Sequence, residues 1–199
     1  MAAASNLILL YEETSDGLMK ESGNAGENMI IRKINASDTE CFFNMMCRLD
    51  EETDYMMYEP GERRERTKSP DRLRSVIEAA ESGGDFLLGA VKEDGDIVGF
   101  LWAERGTLKR ISHTAYIVTG IRSAYRRQGI GTEFFRRLDE WAKENGIIRL
   151  ELTVETPNAA AKSLYEKQGF AVEGIKKKTM KVNGSYVDEY CMAKIFNET

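Results

Sequence analysis

The sequence predicts a mixed α/β (α+β) fold: a seven-stranded, mostly antiparallel sheet with helices on both faces, in the order β-αα-βββ-α-β-α-ββ. Three observations carry this. Asp94-Gly95 and Asn183-Gly184 each separate two apolar runs, as hairpin turns do. Apolar residues recur at helical spacing twice after the first strand and again on each side of Ile147–Val154. A glycine-containing turn joins an apolar strand directly to one of those helices.

The elements follow in order from Met29. Met29-Ile30-Ile31-Arg32-Lys33-Ile34 reads as a strand, and Ser37-Asp38-Thr39-Glu40 as a capping box starting a helix through Phe42, Phe43, Met46 and Leu49. Ser69-Pro70 opens a second helix, with Leu73, Val76, Ile77 and Ala80 on one face. Phe86–Val91 and Ile97–Ala103 form the first hairpin, and a third strand runs from about Ile111 to Ile121. A helix with Phe134, Phe135, Leu138, Trp141 and Ala142 on one face comes next, and then the strand Ile147–Val154. Thr156-Pro157-Asn158 begins a short helix ended by Gly169. Phe170–Val182 and Tyr186–Phe196 complete the sheet. Residues 1–28 lack a sustained period after Leu7-Ile8-Leu9-Leu10 and read as an N-terminal extension, leaving 29–199 as one domain.

The turn Tyr125-Arg126-Arg127-Gln128-Gly129-Ile130-Gly131-Thr132 suits a pyrophosphate. The first N–H groups of a helix have no intrahelical partner and sit at the positive end of its dipole. Gly129 and Gly131 let the backbone approach oxygen atoms that a Cβ would keep away, while Arg122, Arg126 and Arg127 add cationic donors. A plain strand-to-helix connection with solvated arginines is the alternative reading of the same residues.

The pattern Arg126-x-x-Gly129-x-Gly131, then Asn158, then Leu164-Tyr165-x-x-x-Gly169-Phe170 resembles the GNAT superfamily of N-acetyltransferases. The resemblance covers about Met29 to Phe196; Ser123 departs from it, since many members carry Pro there. It implies a GNAT-like sheet and acetyl-CoA as co-substrate, with no metal. Thr119, Gly120 and Ile121 would pair with the pantetheine arm as an added strand would. An N–H in this segment would polarise the thioester carbonyl, a preorganised contact worth roughly 3 kcal/mol. Arg126, Arg127, Gln128, Gly129, Ile130, Gly131 and Thr132 would hold the pyrophosphate.

By the same resemblance Tyr165 would protonate the departing thiolate; a core aromatic is the other reading. Asn158 serves as helix cap, as cofactor contact, or as both. The base that deprotonates the amine is less legible, because Glu151 and Thr153 stand in shifted positions relative to some protein-acetylating relatives. Glu155, at the end of its strand, is the first candidate, alongside transfer through water. Asp50, Glu51, Glu52, Asp54, Glu59 and Glu62 interleave with Tyr55, Met56, Met57 and Tyr58, a segment that by resemblance borders the acceptor groove. Asp54, Tyr55 and Glu59 would attract a cationic amine. Arg63, Arg64, Arg66 and Lys68 follow at once, so the acids also read as a solvated, ion-paired face.

Composition narrows the classes. With 199 residues, 42% of them hydrophobic, the chain can bury one sizeable core. A net charge of −5 argues against a general nucleic-acid binder. No window is apolar over the ~18 residues a membrane span needs. Met1–Leu10 lacks the basic start of a signal peptide, so the expected location is cytoplasmic. Cys41, Cys47 and Cys191 show no metal-type spacing, and His113 is the single histidine.

The expectation is an enzyme transferring acetyl from acetyl-CoA to a primary amine, of a small molecule or a protein, by direct attack in a ternary complex. A non-catalytic acyl-CoA-binding or sensing module of the same fold is the alternative. A dinucleotide-binding oxidoreductase is disfavoured because the Gly turn does not follow the first strand of a parallel unit. The sequence leaves the oligomeric state open, a homodimer included.

Overall fold

The computed structural model describes residues 29–67, 69–82 and 84–197; the 1–28 extension, including its apolar run and the stretch read for a signal peptide, lies outside them. The elements are β1 (Met29–Lys33), α1 (Thr39–Glu52), α2 (Glu62–Arg66), α3 (Asp71–Glu81), β2 (Phe86–Lys92), β3 (Ile97–Arg105), β4 (Thr114–Ile121), α4 (Ile130–Glu144), β5 (Arg149–Glu155), α5 (Ala159–Lys167), β6 (Ala171–Val182) and β7 (Ser185–Ile195). They build one seven-stranded sheet in the order β1-β2-β3-β4-β5-β7-β6. All neighbours pair antiparallel except β4 and β5.

Both faces are covered because the strands carry apolar residues on both. From β2, Phe86, Leu88 and Ala90 join the core under α4 and α5, while Leu87 and Val91 join the core under α1 and α3. Phe134, Phe135, Leu138, Trp141 and Ala142 of α4 are all buried, and Trp141 stacks on Phe86 with ring centroids 5.2 Å apart. Ile77 and Ala80 are the buried residues of α3.

Four local features differ from expectation. The capping box belongs to Asn35 and Asp38, not to Ser37 and Glu40: Asn35 accepts from the Ser37 N–H while Asp38 accepts from the Asn35 N–H, and a 3-10 turn leads into α1. Asp38 is fixed there by a two-pronged ion pair with Arg32 at 2.6 and 2.8 Å. The third strand starts at Thr114, because Leu108–Thr114 turns on itself through the Ile111 N–H to Leu108 and the Thr114 N–H to Ile111. At Asp94-Gly95 only Gly95 has positive φ (85°), and its N–H bonds the Lys92 carbonyl, so the turn is of type I with a glycine after it. Asn183 and Gly184 both have positive φ, 48° and 81°, as type I′ demands. The fourth feature is α2, a short helix that amphipathic spacing did not announce.

Candidate active site

The cleft is made by two strands that part company. β4 pairs with β5 only at Thr114–Arg149, Ala115–Leu150 and Tyr116–Glu151. Beyond that point β4 stays on β3 as far as Ile121, and β5 stays on β7 as far as Glu155. A wedge therefore opens between Ile117–Ile121 and Leu152–Glu155.

Which backbone groups face the wedge follows from the ladder. The Arg122 N–H donates to the Val98 carbonyl at 2.9 Å, so the hydrogen-bonded pairs with β3 fall at Gly120–Phe100 and Val118–Trp102. The N–H and C=O groups of Ile117, Thr119 and Ile121 then point to the open side. Arg126 Nε already donates to the Ile121 carbonyl at 2.9 Å. Gly120 turns its backbone to β3 instead, and a Cβ there would lie 2.8 Å from Leu49 Cδ1. Its lack of a side chain lets α1 approach the sheet.

At the head of the wedge a 3-10 turn, Ser123–Tyr125, leads into α4. Gly129 is the N-cap, at φ 85° with no side-chain cap, and Arg127 also has positive φ (60°). The first intrahelical bond runs from the Glu133 N–H to the Gly129 carbonyl, which leaves the N–H groups of Ile130, Gly131 and Thr132 without intrahelical partners. Gly131 is needed for another reason than close approach of a ligand: its Cβ would stand 2.9 Å from Leu164 Cδ2, where α4 packs on α5. Gln128 turns inward, its Nε2 donating to the Ala124 carbonyl.

Arg122 is not available to a phosphate. Its guanidinium pairs with Glu52 at 3.0 Å and Asp96 at 3.6 Å, and Glu52 also accepts the Ser123 N–H at 2.7 Å. Burial alone would raise the Glu52 pKa, yet these donors hold it below the ordinary carboxylate value. Arg126 and Arg127 remain exposed on the loop.

Tyr165, on α5, lies against Phe135 and Phe170, with centroids 5.7 and 6.1 Å away. Burial, with a further contribution from Tyr116, pushes its phenol up to about 12, so it holds its proton through neutral pH. Asn158 is the N-cap of α5, its Oδ1 accepting the Ala161 N–H at 3.1 Å.

The acid-rich segment divides into two groups. Asp50 is buried and held by Arg63 through two bonds of 2.5 and 2.9 Å, with the Arg63 guanidinium 4.4 Å over the Tyr58 ring. Glu62 pairs with Arg66, and Glu59 lies in the turn before α2, its N–H on Glu62 Oε2. Asp54 behaves differently. It accepts from Asn183 Nδ2, at the tip of the β6–β7 hairpin, at 3.2 Å, and its charge is felt by Glu155. Tyr55 beside it is exposed.

Glu155 is only 6% exposed, at the end of β5. Burial, then the charges of Glu189 and Asp54, raise its pKa above the ordinary 4.5. Glu189 stands directly opposite on β7. Glu151, by contrast, is paired with Arg149 at 2.8 Å, which also binds Glu173. Glu189, Tyr116 and Asn183 were not singled out in the sequence. Glu189 could be found only by knowing that β7 returns beside β5.

Strands that part beside an uncapped, glycine-led helix start define an α/β domain with a ligand wedge at its centre. The chain belongs to the acetyltransferase (GNAT) family, whose model matches residues 43–170. It is 37% identical over 106 residues to the L-amino acid N-acetyltransferase AaaT of Escherichia coli K12, covering 51% of this chain and 64% of that protein's length. It is 30% identical over 178 residues to the probable N-acetyltransferase YjcK of Bacillus subtilis 168, covering 87% and 89% of the two chains. Among solved structures, an acetyltransferase of the GNAT family from Streptococcus pneumoniae superposes with a TM-score of 0.78 at 27% identity, over 85% of this chain and 100% of that one. The yncA acetyltransferase of Salmonella typhimurium, solved with acetyl-CoA, shares the fold at a TM-score of 0.74 and 21% identity, over 86% and 96%.

Proposed function

We propose that the protein transfers an acetyl group from acetyl-CoA to a primary amine by direct attack within a ternary complex. The observation that carries this reading is the separation of β4 from β5 after Tyr116, with an uncapped helix start at one end of the gap and Tyr165 and Glu155 beside it. The residues fit the co-substrate. The αL backbone of Gly129 and the N–H groups of Ile130, Gly131 and Thr132 suit a pyrophosphate, with Arg126 and Arg127 beside it. The open edge at Thr119 and Ile121 suits an extended amide chain. Gly120 contributes by letting that strand sit against α1.

Acetyl-CoA supplies the activated acyl carbon. In this reading Glu155, or water it orients, takes a proton from the acceptor ammonium. The neutral nitrogen forms the N–C bond as the C–S bond breaks, and Tyr165 gives its proton to the sulfur. The surplus proton on nitrogen restores Tyr165, so one proton is released per turnover. A phenol held neutral and a carboxylate held above its ordinary pKa are matched to those two tasks. Asp54 and Tyr55 border the acceptor side; Glu59 is the most peripheral of the three acceptor residues suggested by the sequence.

Initial rates of thiol release, measured with both substrates varied, test this. Intersecting reciprocal plots are expected. Tight acetyl-CoA binding with no thiol release from any amine would favour the sensing module, and parallel plots would point to a covalent acetyl-enzyme.

A further inference from the structure

We propose that the acceptor is an aliphatic diamine or polyamine, its near amine facing Glu155 and its distal ammonium held between Asp54 and Glu189. The inference rests on the acetyl-transfer reading for the direction in which the ligand lies.

The argument starts from charge pairing. Elsewhere in the described structure, acids at helix and strand surfaces have cationic partners: Asp38 with Arg32, Asp50 with Arg63, Glu52 with Arg122, Glu133 with Arg136 and Arg137, Glu151 and Glu173 with Arg149, Asp139 with Lys194, Asp188 with Lys177. Asp54, Glu155 and Glu189 converge without one. Glu155 and Glu189 are cross-strand neighbours, and like charges so placed repel. Asp54 is brought to them by the Asn183 contact, and that neutral amide is its hydrogen-bond donor. Lys176 lies opposite Glu189 on β6, but it is exposed and makes no ion pair with it among the described residues.

Glu155 makes the cluster more than a solvated acidic surface. Its side chain is more than nine-tenths buried and faces Asp54 and Glu189, and no cation or hydrogen-bond donor among the described residues meets its carboxylate. A buried carboxylate without a partner is costly, and the deficit is removed by a ligand that brings the countercharge.

The shape of that countercharge follows from spacing. No three of the described acidic, His or Cys side chains are grouped closely enough to hold one metal ion. The three carboxylates therefore suit a cation whose charge is spread along a chain. The Asn183–Asp54 contact ties the α1–α2 connection to the β6–β7 tip and closes over this side, so a slender chain fits better than a folded protein surface. An α-amino acid would bring its carboxylate into the same uncompensated field.

The test is calorimetric titration of the CoA-loaded protein with 1,4-diaminobutane, butylamine and an L-amino acid. The diamine should bind about tenfold tighter than butylamine, and the gap should narrow as salt is raised. Asp54→Asn and Glu189→Gln should each weaken diamine binding about threefold or more, whereas Glu140→Gln, on the outer surface of α4, should not. Equal binding of diamine and monoamine, tighter binding of the amino acid, or indifference of the wild-type gap to salt overturns the proposal. Diamine binding with these properties but without thiol release from acetyl-CoA would sustain the cation site and defeat the acetyl-transfer reading alone.

Discussion

The Tyr116 hydroxyl lies 3.0 Å from Thr153 Oγ1, just beyond the last paired residues of β4 and β5. This contact crosses the point where the two strands begin to part. It replaces the next backbone pairing with a side-chain bridge and so marks the floor of the wedge. Tyr116 also acts on the Tyr165 phenol, which places all three hydroxyl side chains around that floor.

Tyr116→Phe should therefore loosen the floor without disturbing the core, since the residue is partly exposed. Loss of one hydrogen bond should cost about 1 kcal/mol in urea unfolding. Acetyl-CoA affinity, measured by calorimetry, should fall several-fold. Unchanged affinity would mean that the bridge has no part in shaping the wedge.

Gly129→Val places a β-branched residue at φ 85°, a conformation L side chains rarely adopt. The loop should rearrange, and acetyl-CoA binding should be lost while circular dichroism stays native. Undiminished binding would remove the loop from the cofactor site. Gly131→Ala differs: its Cβ meets the flexible end of Leu164, so a loss of stability is expected before a loss of affinity.

Tyr165→Phe keeps the ring against Phe135 and Phe170 and deletes the proton donor. Turnover should fall ~100-fold with little change in cofactor affinity, the pattern of a group acting in the transition state. Wild-type turnover would leave Tyr165 as a packing residue.

For Glu155 the folded state holds the proton more tightly than the unfolded chain, whose value is near 4.5. Its contribution to stability is thus present below the unfolded value and lost as pH rises through the raised, folded value. Glu155→Gln should unfold at higher denaturant than wild type at neutral pH, and the advantage should vanish as pH falls toward 4.5. The acidic limb of the wild-type kcat profile should lie above the ordinary Glu range and disappear in the variant. A variant no more stable at neutral pH would contradict the buried, unpaired carboxylate.

Arg63→Ala leaves Asp50, 1% exposed at its side chain, as an uncompensated buried charge. Denaturant melts should show a loss of about 3–5 kcal/mol. A loss below 1 kcal/mol would place this pair with ordinary surface ion pairs.

The sequence by itself determined the order of elements, the two hairpins, the helix faces and the glycine-led start of α4. All of these are written in local periodicity and in residues whose backbone preferences are strong, as at Asn183-Gly184 and Gly129. Even so, local signals misplaced the capping box by two residues, because Arg32 on β1 fixes Asp38 and no local pattern records that partner. Only the tertiary structure decided which of the acids near α1 are neutralised. Asp50 and Asp54 are four residues apart, yet one is held by Arg63 and the other faces β5 and β7. The same holds for Glu155 and Glu189, separated by 34 positions in the sequence and opposite each other in the sheet. Charge acts through space and burial, and both are set by which strands come to lie side by side.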